Sequence, residues 1–186
     1  MRIYSLAAIL FFSSAVWAAD RPTVVYGQVG LSKNMQSLKG DANTSSYNGW
    51  GAGLEAGFDW SWNERYGLNG ALEATQIDLI NKGNSTAQAE TGDFSTLGGK
   101  LGLYIGAFTI GGGYRKLNLK TTAITNNSSQ ETSVSGSETF AYVNLTFNIA
   151  KKYRSTVELS AGSGSADTLK TQSAALTLRI GIIEPL

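Results

Sequence analysis

The sequence contains no cysteine and no histidine, and only two prolines among its 186 residues. Without cysteine there is no disulfide framework, so burial in a core or in lipid has to hold the fold. Without histidine the commonest general base and metal ligand is missing, which excludes Ser–His hydrolysis and argues against a metal site or a cofactor held by one. Pro22 and Pro185 lie outside the central region, so no proline interrupts a β-sheet there.

Residues 1–18 have the features of a secretory signal peptide. Arg2 supplies the positive start, residues 6–12 form an apolar core too short to span a membrane, and Val16 and Ala18 precede the cleavage site. Because the formal net charge of +1 includes Arg2, the remaining domain, 19–186, is formally neutral. A nucleic-acid partner is therefore not expected, since such binders carry a basic excess.

After residue 18 the sequence alternates with a period of two, which is typical of β-strands. From 50 to 62 every even position is apolar and every odd position is small or acidic. The same alternation recurs in seven further segments, which are 24–31, 67–75, 95–105, 108–115, 140–149, 155–162 and 173–182. The pattern predicts an all-β fold of eight strands.

The predicted connections alternate in length. Those at 32–48, 80–92, 120–137 and 163–170 are longer, and those at 63–65, 106–107 and 150–153 are short. Such alternation is typical of a closed antiparallel transmembrane β-barrel, an up-and-down meander with both chain ends in the periplasm and its longer loops outside. We therefore expect 32–48 and 120–137 to be surface loops.

A soluble lipocalin-like barrel shares the period of two, but its apolar residues face inward. Two features favour the membrane version, in which they face lipid. The other face is mostly Gly, Ser, Thr and Asn, which suits a narrow lumen better than a water-exposed surface. Aromatic residues also gather at strand ends, as in an interfacial girdle. The predicted girdle comprises Trp50, Trp60, Trp62, Tyr66, Phe108, Tyr114, Phe147 and Tyr153.

In two strands the apolar residues change from even to odd positions, or stop alternating regularly, toward the outer end. Leu72 and Ala74 are followed by Ile77 and Leu79, and Tyr114 is followed by residues 117 and 119, which are both leucine. The change indicates a bulge, strand projecting beyond the membrane, or a register that is wrong by one residue.

The inward face is predicted to carry seven charges. They are Glu55, Asp59, Glu73, Lys100, Arg115, Glu158 and Arg179. Because an eight-stranded barrel is packed with side chains, these charges have to be paired or to meet trapped water. We expect ion pairs that join the three cations to the three glutamates. The alternative is carboxylate-only catalysis by Glu55 with Asp59 or Glu73. No sequence feature distinguishes that arrangement from structural ion pairing, which we favour.

These features together resemble the OmpA/OmpX-like class of small, porin-like outer-membrane barrels, without a periplasmic wall-binding domain. The resemblance covers roughly 23–183 and rests on architecture. It implies insertion by the outer-membrane assembly machinery, contact with outer-membrane lipid and lipopolysaccharide, and a role in envelope integrity, adhesion or narrow ion passage. The chain departs from this class at Ile183–Leu186, where an aromatic end is usual, and a short overhang after strand eight is expected.

Three functions remain open from the sequence. The first is a monomeric, non-enzymatic barrel that displays surface loops. The second is a narrow channel for ions or small solutes, lined by the seven charges. The third is a soluble periplasmic ligand binder with its faces reversed.

Overall fold

A computed structural model of the chain describes residues 22–39, 44–63, 65–81, 90–125, 128–149 and 152–186. Its eight strands are β1 (Val24–Lys39), β2 (Thr44–Ser61), β3 (Tyr66–Asn81), β4 (Glu90–Ile105), β5 (Phe108–Thr125), β6 (Ser128–Ile149), β7 (Tyr153–Ala166) and β8 (Leu169–Pro185). Each strand pairs antiparallel with the next and β8 pairs with β1, so the sheet closes into an up-and-down barrel. The predicted fold class and strand count are confirmed. No helix in the described ranges is long and apolar enough to cross a membrane, and the predicted signal peptide lies outside those ranges.

The strands run farther than the alternation predicted. β1 continues to Lys39 and β2 begins at Thr44, so most of 32–48 is strand. β5 continues to Thr125 and β6 begins at Ser128, so 120–137 is largely a β-hairpin. The prediction of two long surface loops was wrong, because a strand that meets water on its outer face has the same polar composition as a loop.

The last strand also extends past its predicted end. Pro185 pairs with Val24 across the closing seam between β8 and β1. The expected overhang after strand eight was therefore wrong, since Ile183 and Glu184 belong to the paired strand as well.

The barrel has two distinguishable ends. The near end carries the first strand residue, Val24, the last, Pro185, and the connections after β2, β4 and β6. The connection after β4 is a two-residue turn in which Gly106 has a φ of 56°, a conformation that glycine adopts without steric penalty. The far end carries the four remaining hairpins, and the expected topology places this end outside the cell.

Large apolar side chains point outward from every strand and form an apolar belt around the barrel. One exposed member from each strand is Val29, Leu54, Leu72, Leu101, Ile110, Ile149, Leu159 and Ile180, and each is at least 54% exposed. A continuous ring of this kind is far larger than the apolar patches of soluble monomers and fits contact with lipid. The soluble alternative required these side chains to face inward, and the structure contradicts it.

Toward the far end the polarity of the two faces reverses. On β3, Gln76 and Asp78 point outward while Ile77 is fully buried, and on β4 Phe94 is fully buried too. β3 pairs with both neighbours without any shift of register, which excludes the bulge and the register error. Of the three interpretations of the lost phase, only strand projecting beyond the membrane agrees with this arrangement, because above lipid the outer face meets water and the interior can be apolar.

The buried apolar residues of the far end form one cluster, which we call the apolar plug. Its members are Leu38, Tyr47, Ile77, Phe94, Leu117, Leu119 and Ala166, and Val134 and Leu169 pack against it. The buried members come from six strands and the partly buried pair from the other two, so all eight strands contribute and the plug crosses the barrel interior.

Candidate functional site

A cluster of charged side chains fills the middle of the barrel, where the apolar belt surrounds it. Lys100 on β4 places Nζ 2.6 Å from Glu55 Oε2, 3.3 Å from Glu73 Oε2 and 2.5 Å from Glu158 Oε2. Arg179 on β8 contacts the same three glutamates, each at 3.2 Å. Two cations therefore share three carboxylates that come from β2, β3 and β7, and together they tie strands on different sides of the barrel to one another.

Arg115 on β5 extends this cluster toward the far end. Its Nη1 lies 3.6 Å from Glu73 Oε1, and its Nε donates to Glu138 Oε1 at 2.5 Å. Ser173 on β8 accepts a hydrogen bond from Arg115 Nη2 at 3.0 Å and donates to Glu138 Oε1 at 2.8 Å. The guanidinium also lies 4.7 Å from the ring centre of Phe140, a cation–π contact. The hydrogen bonds that Arg115 and Ser173 donate to Glu138 thus both end on the same oxygen, Oε1.

A second ion pair closes the near end. Arg154 Nη1 lies 2.5 Å from Asp59 Oδ2, and its guanidinium stands 3.8 Å from the ring centre of Tyr26. Asn69 Nδ2 donates to Asp59 Oδ1 at 2.8 Å and to Tyr26 Oη at 2.9 Å. Tyr26 Oη donates in turn to Glu55 Oε1 at 3.1 Å, so the near-end pair and the central cluster form one hydrogen-bonded network.

The structure places all seven predicted lumen charges inside the barrel, and none is more than 4% exposed. Lys100 and Arg179 each reach the three glutamates named for them, and Arg115 reaches one of those, Glu73. The seventh charge, Asp59, pairs with a cation that the sequence analysis did not place in the lumen.

Two charged members of the network are absent from the predicted set. Arg154 falls between the predicted connection 150–153 and the predicted strand 155–162, and Glu138 falls between the predicted loop 120–137 and the predicted strand 140–149. Both are buried, Arg154 at 2% exposure and Glu138 at 1%. The alternation itself could have found them, because Arg154 has the parity of Glu158 on β7 and Glu138 has the parity of Tyr142 on β6.

Glycines on the inner face make room for the large side chains of the network. A Cβ on Gly57 would lie 2.6 Å from Tyr26 Oη, and one on Gly113 would lie 2.6 Å from Phe140 Cζ. Gly27, which points the other way, has no atom within 4 Å of a Cβ built on it. Small residues at the inner positions are therefore needed for packing against aromatic neighbours in a narrow lumen.

The aromatic residues predicted as a girdle lie on the outer face. Seven of them are between 37% and 63% exposed, and these are Trp50, Trp60, Trp62, Tyr66, Phe108, Tyr114 and Tyr153. The eighth, Phe147, is partly buried. Trp50 also receives a cation–π contact from Lys33, whose Nζ lies 5.0 Å from the ring centre. Lys33, Trp50 and Asp78 are cross-strand neighbours on β1, β2 and β3, and they mark the level at which the apolar belt ends.

The carboxylates of the lumen are all engaged in ion pairs. Each of its five carboxylates has a cationic nitrogen within 4 Å, so none of them is held as an unpaired acid or base beside an open cleft. A general acid or base has to reach its substrate within hydrogen-bond distance. These carboxylates are almost completely buried, at 4% exposure or less, and instead join strands across the lumen.

The closed eight-stranded barrel, its apolar belt and its polar lumen define the chain as a small transmembrane β-barrel of the kind found in bacterial outer membranes. Solved structures with the same fold include two bacterial surface proteins. The attachment invasion locus protein Ail of Yersinia pestis, solved alone and with the heparin analogue sucrose octasulfate, matches with a TM-score of 0.52 and 15% identity over 88% of this chain and 100% of that one. Neisserial surface protein A matches with a TM-score of 0.50 and 13% identity over 84% of this chain and 96% of that one. No protein-family model and no curated protein sequence matches the chain.

Proposed function

We propose that this protein is a non-conducting, non-enzymatic outer-membrane barrel that holds its far-end hairpins above the lipid for contact with other molecules. The observation that carries the proposal is the filling of its interior. The paired charges occupy the middle of the lumen, and the apolar plug covers them at the far end. A barrel closed in this way is a rigid support, and the projecting end is the surface that it offers to other molecules.

The projecting strands support the part of the proposal that concerns display. On their outer faces Asp78, Asp93 and Lys120 are exposed, and they continue the row of cross-strand neighbours that begins at Trp50, where the apolar belt ends. β6 reaches from Ser128 to Ile149, the longest strand of the barrel, at 22 residues. An attachment role of the kind named for the Yersinia pestis protein would use this end.

The partners that follow from the proposal are outer-membrane lipid and lipopolysaccharide around the belt, and the outer-membrane assembly machinery during insertion. We expect a monomer without cofactor or nucleic acid. A monomer agrees with a closed sheet, because every strand of the barrel wall already has two neighbours and the closed part offers no edge for another chain.

Single-channel recording in planar bilayers tests the closed lumen. Protein that has first been shown to be folded by heat-modifiable gel migration is inserted, and a general porin in the same membranes serves as the positive control. We expect no conductance steps above the baseline. Reproducible steps that change in Glu73→Gln or Arg115→Ala would overturn the proposal and establish the narrow channel instead.

Cysteine labelling tests whether the far end is displayed outside the cell. Because the sequence has no cysteine, only the introduced thiol can react. Thr168→Cys places a thiol in the exposed far-end turn between β7 and β8, and Lys152→Cys places one in the exposed near-end turn after β6. A membrane-impermeant maleimide should label the first variant on intact cells and the second only after lysis. Equal labelling of both variants on intact cells, or the reverse order, would contradict the proposed orientation.

A further inference from the structure

The charges of the central cluster do not balance. Among the residues that the structure describes, four glutamates share three cations there. The glutamates are Glu55, Glu73, Glu138 and Glu158, and the cations are Lys100, Arg115 and Arg179. Arg154 does not alter this count, because it pairs with Asp59 at the near end. The central cluster therefore carries one excess negative charge in a narrow interior surrounded by lipid, where an uncompensated charge is strongly unfavourable.

The excess charge can be located by the hydrogen bonds that Glu138 makes. Its Oε1 receives bonds from Arg115 and Ser173, whereas its Oε2 is buried and has no hydrogen-bond partner in the protein. An unpartnered carboxylate oxygen in the interior is costly, and native structures normally satisfy such groups with protein, water or an ion. Glu138 Oε2 is thus the point of the cluster at which a counter-charge is missing.

Further unpartnered oxygens lie on the same side of the lumen. Asn34 Oδ1, Gln36 Oε1 and Thr171 Oγ1 also lack hydrogen-bond partners, and their side chains are at most 2% exposed. Gln36 on β1 is the direct cross-strand partner of Ser173 on β8, the residue that donates to Glu138. Thr171 is the next inward position of β8 toward the far end and pairs with Leu38, whereas Asn34 is the next inward position of β1 toward the near end and pairs with Ala175. Gln36 and Thr171 therefore adjoin Ser173 where the Arg115–Glu138 pair gives way to the apolar plug, whereas Asn34 is separated from the level of Thr171 by about 13 Å along β1.

We propose that Glu138, Gln36 and Thr171 form a binding site for one monovalent cation, coordinated by Glu138 Oε2 and by the neutral oxygens of the other two side chains. Carboxylate, amide and hydroxyl oxygens are the ligands that hard cations prefer. A single positive charge brings the central cluster to neutrality, whereas a divalent ion would leave an excess of the opposite sign. The ion is enclosed below the plug during folding. It serves as an internal counter-ion and is not conducted through the barrel.

Refolding in different salts tests the proposal. Urea-denatured protein is refolded into zwitterionic detergent micelles in potassium, sodium or N-methylglucamine chloride at equal ionic strength, and its unfolding equilibrium is measured. A ligand that binds only the folded state raises the folding constant about tenfold when its concentration is ten times the dissociation constant. We expect such a gain in potassium or sodium and none in N-methylglucamine, which is too large to be enclosed.

Two variants and a matched control assign the effect to the site. Glu138→Gln removes the excess charge and should abolish the cation response. Glu131→Gln, the same substitution at an exposed position of the same strand, should keep it. Gln36→Leu keeps every charge but removes one oxygen, so its response should move to higher cation concentrations. A cation response that survives in Glu138→Gln would overturn the assignment.

A direct observation keeps the proposal testable even if Glu138→Gln does not fold. Thallium(I) can replace potassium and scatters anomalously, so crystals of the unmodified protein refolded in thallium nitrate should show an anomalous peak beside Glu138 Oε2. Absence of the peak, together with equal stability in all salts, would overturn the proposal. Stability that responds to acidification but not to the salt cation would do the same, because a bound proton would then supply the missing charge.

Discussion

Replacing Lys100 tests most directly whether the charged lumen holds the barrel together. Its ammonium group contacts three carboxylates at 2.6, 3.3 and 2.5 Å, and its side chain has no exposed surface. In Lys100→Met the four glutamates of the central cluster keep only Arg115 and Arg179, so the excess negative charge doubles. Breaking a buried ion pair by removing one partner costs about 3–5 kcal/mol. We expect at least that loss, a large part of the roughly 5–15 kcal/mol by which small domains are stable.

The assay is urea unfolding in lipid vesicles, followed by tryptophan fluorescence and by gel migration of unheated samples. Lys116→Met is the matched control, since Lys116 lies on the adjacent strand β5 with an exposed side chain, and it should leave the unfolding midpoint unchanged. Adding Glu158→Gln to Lys100→Met should recover part of the loss, because one uncompensated carboxylate is removed. If Lys100→Met is as stable as Lys116→Met, the network does not stabilise the fold and the reasoning fails.

Three further changes test the packing of the lumen, the lipid face and the plug. Gly57→Ala should lower the unfolding free energy by about 1–3 kcal/mol because the added methyl group overlaps the carbonyl oxygen of Gly70 and the ring of Tyr26. Gly27→Ala, with open space around it, should be neutral or slightly stabilising in the same urea titration. Leu101→Arg, in the apolar belt, should cost about 2–4 kcal/mol in vesicles, and Ser95→Arg, on the same outer face of β4 but closer to the far end, should cost far less. Phe94→Ala, which opens the plug, should lose about 3–5 kcal/mol by the same measurement, and a loss no larger than that of an exposed residue would mean that the plug is not a packed core.

The fold could be predicted from the sequence because a membrane barrel imposes a strict rule on most of its length. Between Trp50 and Trp62 lipid selects one kind of residue on one face and a narrow lumen selects another on the opposite face, so the period of two is undisturbed. The same rule identified seven of the lumen charges, since a charged residue at an inward position has to pair with a residue of opposite charge. No comparable rule reports which carboxylate meets which cation, because that depends on the shear between strands.

At the far end the alternation misleads where the outer face of the barrel passes from lipid to water. Residues 128–136 belong to β6, but their sequence resembles a loop because both faces of a strand in water accept polar residues. Ile77 and Leu117 broke the predicted phase because the interior becomes apolar when the outside becomes wet. The missed charge Glu138 belongs to the same transition, just below the plug. A search for the position where the apolar residues change parity would have found the rim and the projecting strands together.

The exchange of polar and apolar faces between the two halves of the barrel explains how one closed sheet can be stable in two environments. Around the central cluster the barrel is apolar outside and ionic inside, so its strands are held by lipid contact and by charge pairing across the lumen. Above Trp50 it is polar outside and apolar inside, so the same strands are held by burial of the plug from water. The two halves meet at Arg115, Glu138 and Ser173, where paired charges give way to unpartnered oxygens and then to hydrophobic packing. Because the projecting half has a core of its own, the hairpins at the far end can be altered on their outer faces without disturbing either the plug or the charged lumen beneath it.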